Sequence, residues 1–146
     1  ELTVRWEQAL QRAVKMADDP DVKGGTRYDA LRMIAMLDYA ACQKQLKRYL
    51  HDASHPELQM GAVSGIGDVD VSAATDDLIE SLPALTARNL KIALQALIRT
   101  DSRAMALLKA IQQQPRTGKL IDAELQQQLK THPSAEVQQL ARQLFE

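Results

Sequence analysis

The stretch "GAVSGIGDVD", Gly61–Asp70, admits two readings. Three glycines around Ser64, with Asp68 close behind, have the composition of a loop that cradles phosphate. The same residues fit a helix that a neighbouring helix approaches closely. Comparison along the chain decides between them. Ala30–Asp38 is ALRMIAMLD, Ala62–Asp70 is AVSGIGDVD and Ala93–Asp101 is ALQALIRTD, starting 32 and then 31 residues apart. Each segment is Ala, aliphatic, two free positions, aliphatic, a small or aliphatic residue, two more, then Asp. Apolar residues at i, i+1, i+4 and i+5 make one face of a helix, with the Asp at its end. In this register Gly65 matches Met33 and Ala96, and Gly67 matches Ala35 and Ile98. A phosphate loop needs free N–H groups after a strand and a Lys followed by Ser or Thr, and none of this is present. The glycines are therefore expected to be helical. They serve close helix approach, or weaken the helix by about 1 kcal/mol each relative to Ala.

Second helices fit between the motif segments: AACQKQLKRYL from Ala40, SAATDDLIESL from Ser72 and SRAMALLKAIQ from Ser102. The unit is a helix pair, with repeats expected over about residues 26–51, 55–82 and 84–113 and an added C-terminal pair over 122–146. The EVQQLA of Glu136–Ala141 echoes the ELQMGA of Glu57–Ala62 and reads as a fourth, displaced copy. VRWEQALQRAVKMA supplies an opening helix with Trp6, Leu10, Ala13, Val14 and Ala17 in helical spacing. DDPDVKGG, Asp18–Gly25, is the one stretch expected to be loose. Pro56 and Pro133 mark helix starts, and Ser54, Thr86, Asp101, Asp122 and Ser134 are candidate N-caps. The expected fold is all-α, an α-α superhelix built as a short α-solenoid of helix pairs, in one domain over residues 1–146. A period near 31 residues is typical of stacked repeats, in which each pair buries its apolar face only against its neighbours.

Composition agrees. Of 146 residues, 45% are hydrophobic but only 3% aromatic, and Ala and Leu suit packed helices better than sheets. The 18 basic and 19 acidic residues leave a formal charge of −1, which supplies no bulk attraction to nucleic acid or anionic lipid. Cys42 is the sole cysteine, so no internal disulfide forms. No apolar run reaches membrane-spanning length. The chain opens on Glu1 and closes on Glu146 within a helical pattern, and is expected to be a module cut from a longer protein.

The repeat resembles HEAT repeats of the short, PBS-lyase-like form. The C-terminal part, with "LLKAI", a loop, Leu120 and Ile121, and then "L…HP…EV…A…LF", is similar to the HEAT segment of planctomycete-type bacterial multidomain proteins. In those, a membrane-bound dehydrogenase region and a haem-binding cytochrome c region flank the repeats. The resemblance implies a scaffold inside a larger, haem-containing dehydrogenase-like protein. The haem attachment motif Cys-x-x-Cys-His is absent here, so any redox chemistry would lie in the flanking regions.

No candidate reaction centre is complete. His51 and His55 have the four-residue spacing of a chelating pair but lack a third ligand and straddle a helix end. With His132 they read as turn-capping histidines. Asp68, Asp70 and Ser72 begin a calcium-loop pattern that fails at Ala73 and Ile79; capping by Asp70 explains them better. Cys42 reads as a small buried hydrophobe. No cofactor and no metal site is expected. The function expected is non-catalytic: an interaction module for a partner protein or for neighbouring domains of the same chain. Its surface would be the outward positions of the motif helices, namely Arg32, Ser64 and Gln95 and, one turn later, Met36, Asp68 and Arg99. The alternative is a nucleic-acid-binding HEAT-like solenoid of the DNA glycosylase kind, which needs a basic concave stripe with an aromatic and an acid. A third reading, a lyase or pigment-binding role suggested by the repeat's namesake enzymes, has no residues to carry it.

Overall fold

The computed structural model describes all of residues 1–146, with helices throughout and no strand. Nine α-helices follow one another: α1 Leu2–Asp18, α2 Gly24–Leu37, α3 Tyr39–Leu50, α4 Pro56–Gly67, α5 Ser72–Ser81, α6 Ala87–Ile98, α7 Asp101–Gln113, α8 Ala123–Lys130 and α9 Ala135–Phe145. Short 3-10 segments at Leu82–Ala84 and Pro115–Leu120 complete the chain. The helices form two layers. The motif helices α2, α4 and α6 pack side by side and α8 follows them, while α3, α5, α7 and α9 form a second layer behind. The opening helix α1 packs on α2 and reaches α3, whose Gln45 and Tyr49 donate to the carbonyls of Val14 and Ala17 at 2.9 and 2.8 Å.

The repeated motif fills the space between the layers. Ala30, Leu31, Ile34 and Ala35, their counterparts Ala62, Val63, Ile66 and Gly67, and Ala93, Leu94, Leu97 and Ile98 are all buried. One cluster of 31 buried side chains runs through the molecule, from Ala13 to Ala141. Each leucine in it contributes about 1.5–3 kcal/mol by leaving water.

The glycines of α4 set the spacing. A Cβ on Gly65 would stand 2.9 Å from the Cα of Arg32 and 3.0 Å from the Cβ of Ala35; one on Gly61 would stand 3.1 Å from the carbonyl oxygen of Tyr28. Two glycines four apart thus let α2 lie against the bare backbone of α4. This is the close-packing reading of Gly61–Gly67, in helix rather than loop.

Buried polar side chains tie each repeat to the one before. Tyr49 donates to Ala17 O over 32 residues, Asn89 to Pro56 O over 33, Arg103 to Gly67 O over 36, and His132 Nε2 contacts Ile98 O over 34. These separations track the sequence period. Gln59, fully buried, donates to the carbonyls of Leu50 (2.9 Å) and Ala84 (3.2 Å) and accepts from Thr86 N (3.0 Å) and Asn89 Nδ2 (2.9 Å). It locks the turn between the second and third pairs.

Several local expectations are revised. Thr86, Asp122 and Ser134 do cap their helices, but Thr100 rather than Asp101 caps α7, and the N-cap of α4 is His55 rather than Ser54. The aspartates ending the three motifs diverge. Asp38 joins α2 to α3 and caps the latter, Asp101 opens α7, and Asp70 lies in a loop while Val71 precedes α5 without a side-chain cap. The echo of α4 in Glu136–Ala141 does not place α9 among the motif helices, because α9 packs on α7. After the connector Pro115–Leu120, α8 takes its place beside α6 and α9 beside α7, so the alternation of layers continues to the end of the chain. The stretch after Asp18 is an ordered turn, closed by Asp21 N donating to Asp19 Oδ1 at 2.9 Å and Val22 N to Asp19 O at 3.1 Å.

Candidate interaction surface

The outward sides of α2, α4 and α6 form one continuous surface. Arg32 on α2 meets Asp68 at the end of α4 at 3.4 Å, and Arg99 at the end of α6 meets the other oxygen of Asp68 at 3.8 Å. One carboxylate is thus shared by two guanidinium groups from flanking helices. One turn back, the Tyr28 hydroxyl donates to Ser64 Oγ at 3.3 Å, and the Arg32 guanidinium lies 5.9 Å from the Tyr28 ring centre. Gln95, half-buried, stands one turn before Arg99 on α6. The row continues into a shallow cleft of about 520 Å³ lined by Tyr28, Met60, Arg88 and Asn89 with Pro56, Glu57 and Thr86.

Both arginine contacts exceed the 2.7–2.9 Å typical of charge-assisted hydrogen bonds. The side chains of Arg32, Asp68 and Arg99 are 44%, 41% and 60% exposed. Exposed pairs of this kind contribute about 0–1 kcal/mol, so the row adds little to folding and retains free donors.

Five of the six residues expected on the surface lie along this row. Met36 is set apart: it is 66% exposed and lines a separate groove with Trp6 of α1. Sequence reasoning missed Tyr28, Met60 and Arg88. The signal was available: Tyr28 and Met60 precede Arg32 and Ser64 by four residues, and Arg88 precedes Gln95 by seven, which is the same helical face.

The other candidate residues are used structurally. Asp52 accepts from Ser54, and its second oxygen lies 2.8 Å from His55 Nδ1; these bonds hold its carboxyl below the usual range. His51 is exposed at the end of α3. His132 is buried, accepts from Ser134 N at Nδ1 (3.1 Å) and faces Ile98 O with Nε2 (2.9 Å), so its hydrogen is on Nε2. No group of three or more His, Cys, Asp or Glu side chains stands together as a metal site would require. Cys42 is buried, and that burial, with Asp38 nearby, pushes its thiol pKa up, opposite to what a nucleophile needs. The buried carboxylate of Asp77 accepts from the Tyr39 hydroxyl and from Gln43 at 2.7 Å, with Lys47 at 3.6 Å, bridging α3 to α5. Burial and this bond raise the Tyr39 pKa strongly. Two buried polar atoms have no partner, Asn89 Oδ1 and Arg103 Nε.

No family model, no curated protein and no solved structure matches this chain. No helix is long and apolar enough to cross a membrane.

Proposed function

We propose that the chain is a non-catalytic, HEAT-like interaction module that binds a protein segment, from a partner or a neighbouring domain, along the outward face of α2, α4 and α6. The observation that carries this reading is the Arg32–Asp68–Arg99 row: three helices contribute charged groups to one exposed line whose contacts are too long and too wet to serve stability. Curvature supports it. Between the motif helices stand glycines and alanines, whereas α3 and α5 are bridged by Tyr39, Gln43, Lys47 and Asp77. A stack spaced closely on one side and wider on the other would bend toward the close side, and on this reading the motif helices form the concave face that repeat proteins use for binding. The resemblance to the HEAT segment of multidomain dehydrogenase-like proteins supplies a setting in which such a face would hold neighbouring domains.

The test is site-specific photo-crosslinking in cells expressing the protein. A photoreactive residue replacing Gln95 is expected to give a discrete protein adduct, and one replacing Lys109 of α7 none. Equal labelling at both positions, or labelling by nucleic acid, would overturn the reading. The nucleic-acid alternative finds little support in the row itself, where the Asp68 carboxylate stands between the two guanidinium groups and offsets part of their charge.

A further inference from the structure

We propose that the groove between the first half of α1 and the end of α2 is a docking site for an amphipathic helix of a partner protein, one carrying lysine or arginine beside its apolar stripe. This is a second surface, separate from the Arg32–Asp68–Arg99 row.

The argument begins with the stripe of α1. Trp6, Leu10, Ala13, Val14 and Ala17 share one side of the helix. Ala13 and Ala17 are buried and Leu10 and Val14 pack on the core, yet Trp6 is 58% exposed. The apolar stripe runs on past the helices that cover it. Alongside lie Met36 and Leu37 at the end of α2, and together Thr3, Trp6, Leu10, Met36 and Leu37 line a groove of about 370 Å³. Six of the seven exposed large hydrophobics, Val71 being the seventh, lie on α1 or α2. Two of them, Trp6 and Met36, line this groove beside Leu10 and Leu37, an exposed apolar patch of the kind that marks a contact surface. The far end of the stack is different: the outer side of α9 presents Gln138, Gln139, Arg142 and Gln143, the polar face of a capping repeat. The layers are closed at α9 and open at α1.

Charge selects the occupant. Glu7 and Asp38 line the groove, and no cation does. Arg27, the cation of α2 nearest its start, donates inward to Ala17 O at 2.9 Å, and Arg32 pairs with Asp68 on the other surface. A second copy meeting the first through the same groove would bring an identical acidic lining, Glu7 and Asp38, to both sides of the contact, and like charges there oppose association. A helix with a basic rim has the complementary sign, and its cations can also approach the exposed indole of Trp6.

Trp6 is the sole tryptophan, so its emission reports on the groove directly. The probe is a synthetic amphipathic leucine–lysine helix about four turns long, with a leucine–glutamate helix of the same pattern as comparison. The lysine peptide is expected to shift Trp6 emission to the blue saturably, and the glutamate peptide not. Glu7→Gln with Asp38→Asn, which preserves the cap of α3, weakens binding about three- to tenfold. Met36→Lys, at an exposed position, abolishes binding with the circular dichroism unchanged. Lys109→Ala changes nothing. Equal binding of the two peptides, indifference to Met36→Lys, or a blue shift on raising the protein concentration alone would overturn the proposal. None of these outcomes bears on the other surface, since neither Arg32 nor Arg99 lines the groove.

Discussion

Replacing Gly65 by alanine adds one methyl group at the tightest point between α2 and α4. Its Cβ would meet the Cα of Arg32 at 2.9 Å, the Cβ of Ala35 at 3.0 Å and the carbonyl oxygen of Leu31 at 3.2 Å. None of these atoms ends a flexible side chain, so none can rotate away. Carbon atoms rest at about 3.5–4.0 Å, and α2 must therefore retreat from α4 by well over half an ångström. Overpacking of this kind costs about 1–3 kcal/mol, against which alanine returns up to about 1 kcal/mol of helix propensity. The expected net loss is about 1–2 kcal/mol, or a Tm lower by roughly 3–6 °C for a chain of this size. Thermal unfolding followed by far-ultraviolet circular dichroism measures it. Gly25→Ala is the control: a Cβ there meets nothing within 4 Å, and the substitution should leave stability unchanged or raise it by about 0.4–1 kcal/mol. If Gly65→Ala matched or exceeded the parent while Gly25→Ala behaved as expected, close approach of α2 and α4 would not be what the glycine is for.

Other expectations follow from the same packing. Gln59→Leu strands the carbonyls of Leu50 and Ala84 and the N–H of Thr86, so urea unfolding should show a loss of about 2–4 kcal/mol. Stability should fall on acidification from neutral pH to about pH 3, in part through Asp18. Burial alone would raise its pKa, but bonds from Tyr49 and Arg48 outweigh it and hold the carboxyl below its ordinary 3.8. The stabilisation is therefore complete above that value and lost as pH falls through the depressed one. Asp18→Asn should flatten the acid limb of Tm against pH. Cys42, buried with its thiol pKa raised, should react with an alkylating reagent only as fast as the protein opens; labelling at the rate of a free thiol in native buffer would contradict its placement.

How far the sequence discloses this structure can be judged residue by residue. The helix pairs are legible because burial between two layers demands Ala and aliphatic side chains at fixed spacing, and Ala30, Ala62 and Ala93 satisfy that demand in the same way. The glycines are legible only through register, since nothing within Gly61–Asp70 separates a helix from a loop. Most caps are legible because a Ser, Thr or Asp side chain bonds its own helix. The displaced aspartates and His55 are not, because backbone turns and neighbouring side chains at the loop chose their partners. The surface was half-legible: helical spacing puts Arg32, Ser64, Asp68, Gln95 and Arg99 on one face. Met36 stands apart from that row, in a groove with Trp6 of α1, and Tyr28 and Arg88 extend the face one and two turns further back. The bridge from Tyr39 to Asp77, like that from Arg103 to Gly67, joins residues 38 and 36 apart. Such pairs become visible only once the layers are stacked.

The central claim is that the outward face of α2, α4 and α6 serves recognition and not stability. Its most direct test is the triple variant Arg32→Ala, Gln95→Ala, Arg99→Ala, examined for unfolding and for photo-crosslinking from Ser64 in parallel. The account predicts a Tm within about 2 °C of the parent, as two exposed side chains and one half-buried one imply, together with loss of the crosslinked protein. An unfolded triple variant, or one that retains the crosslink in full, would contradict it.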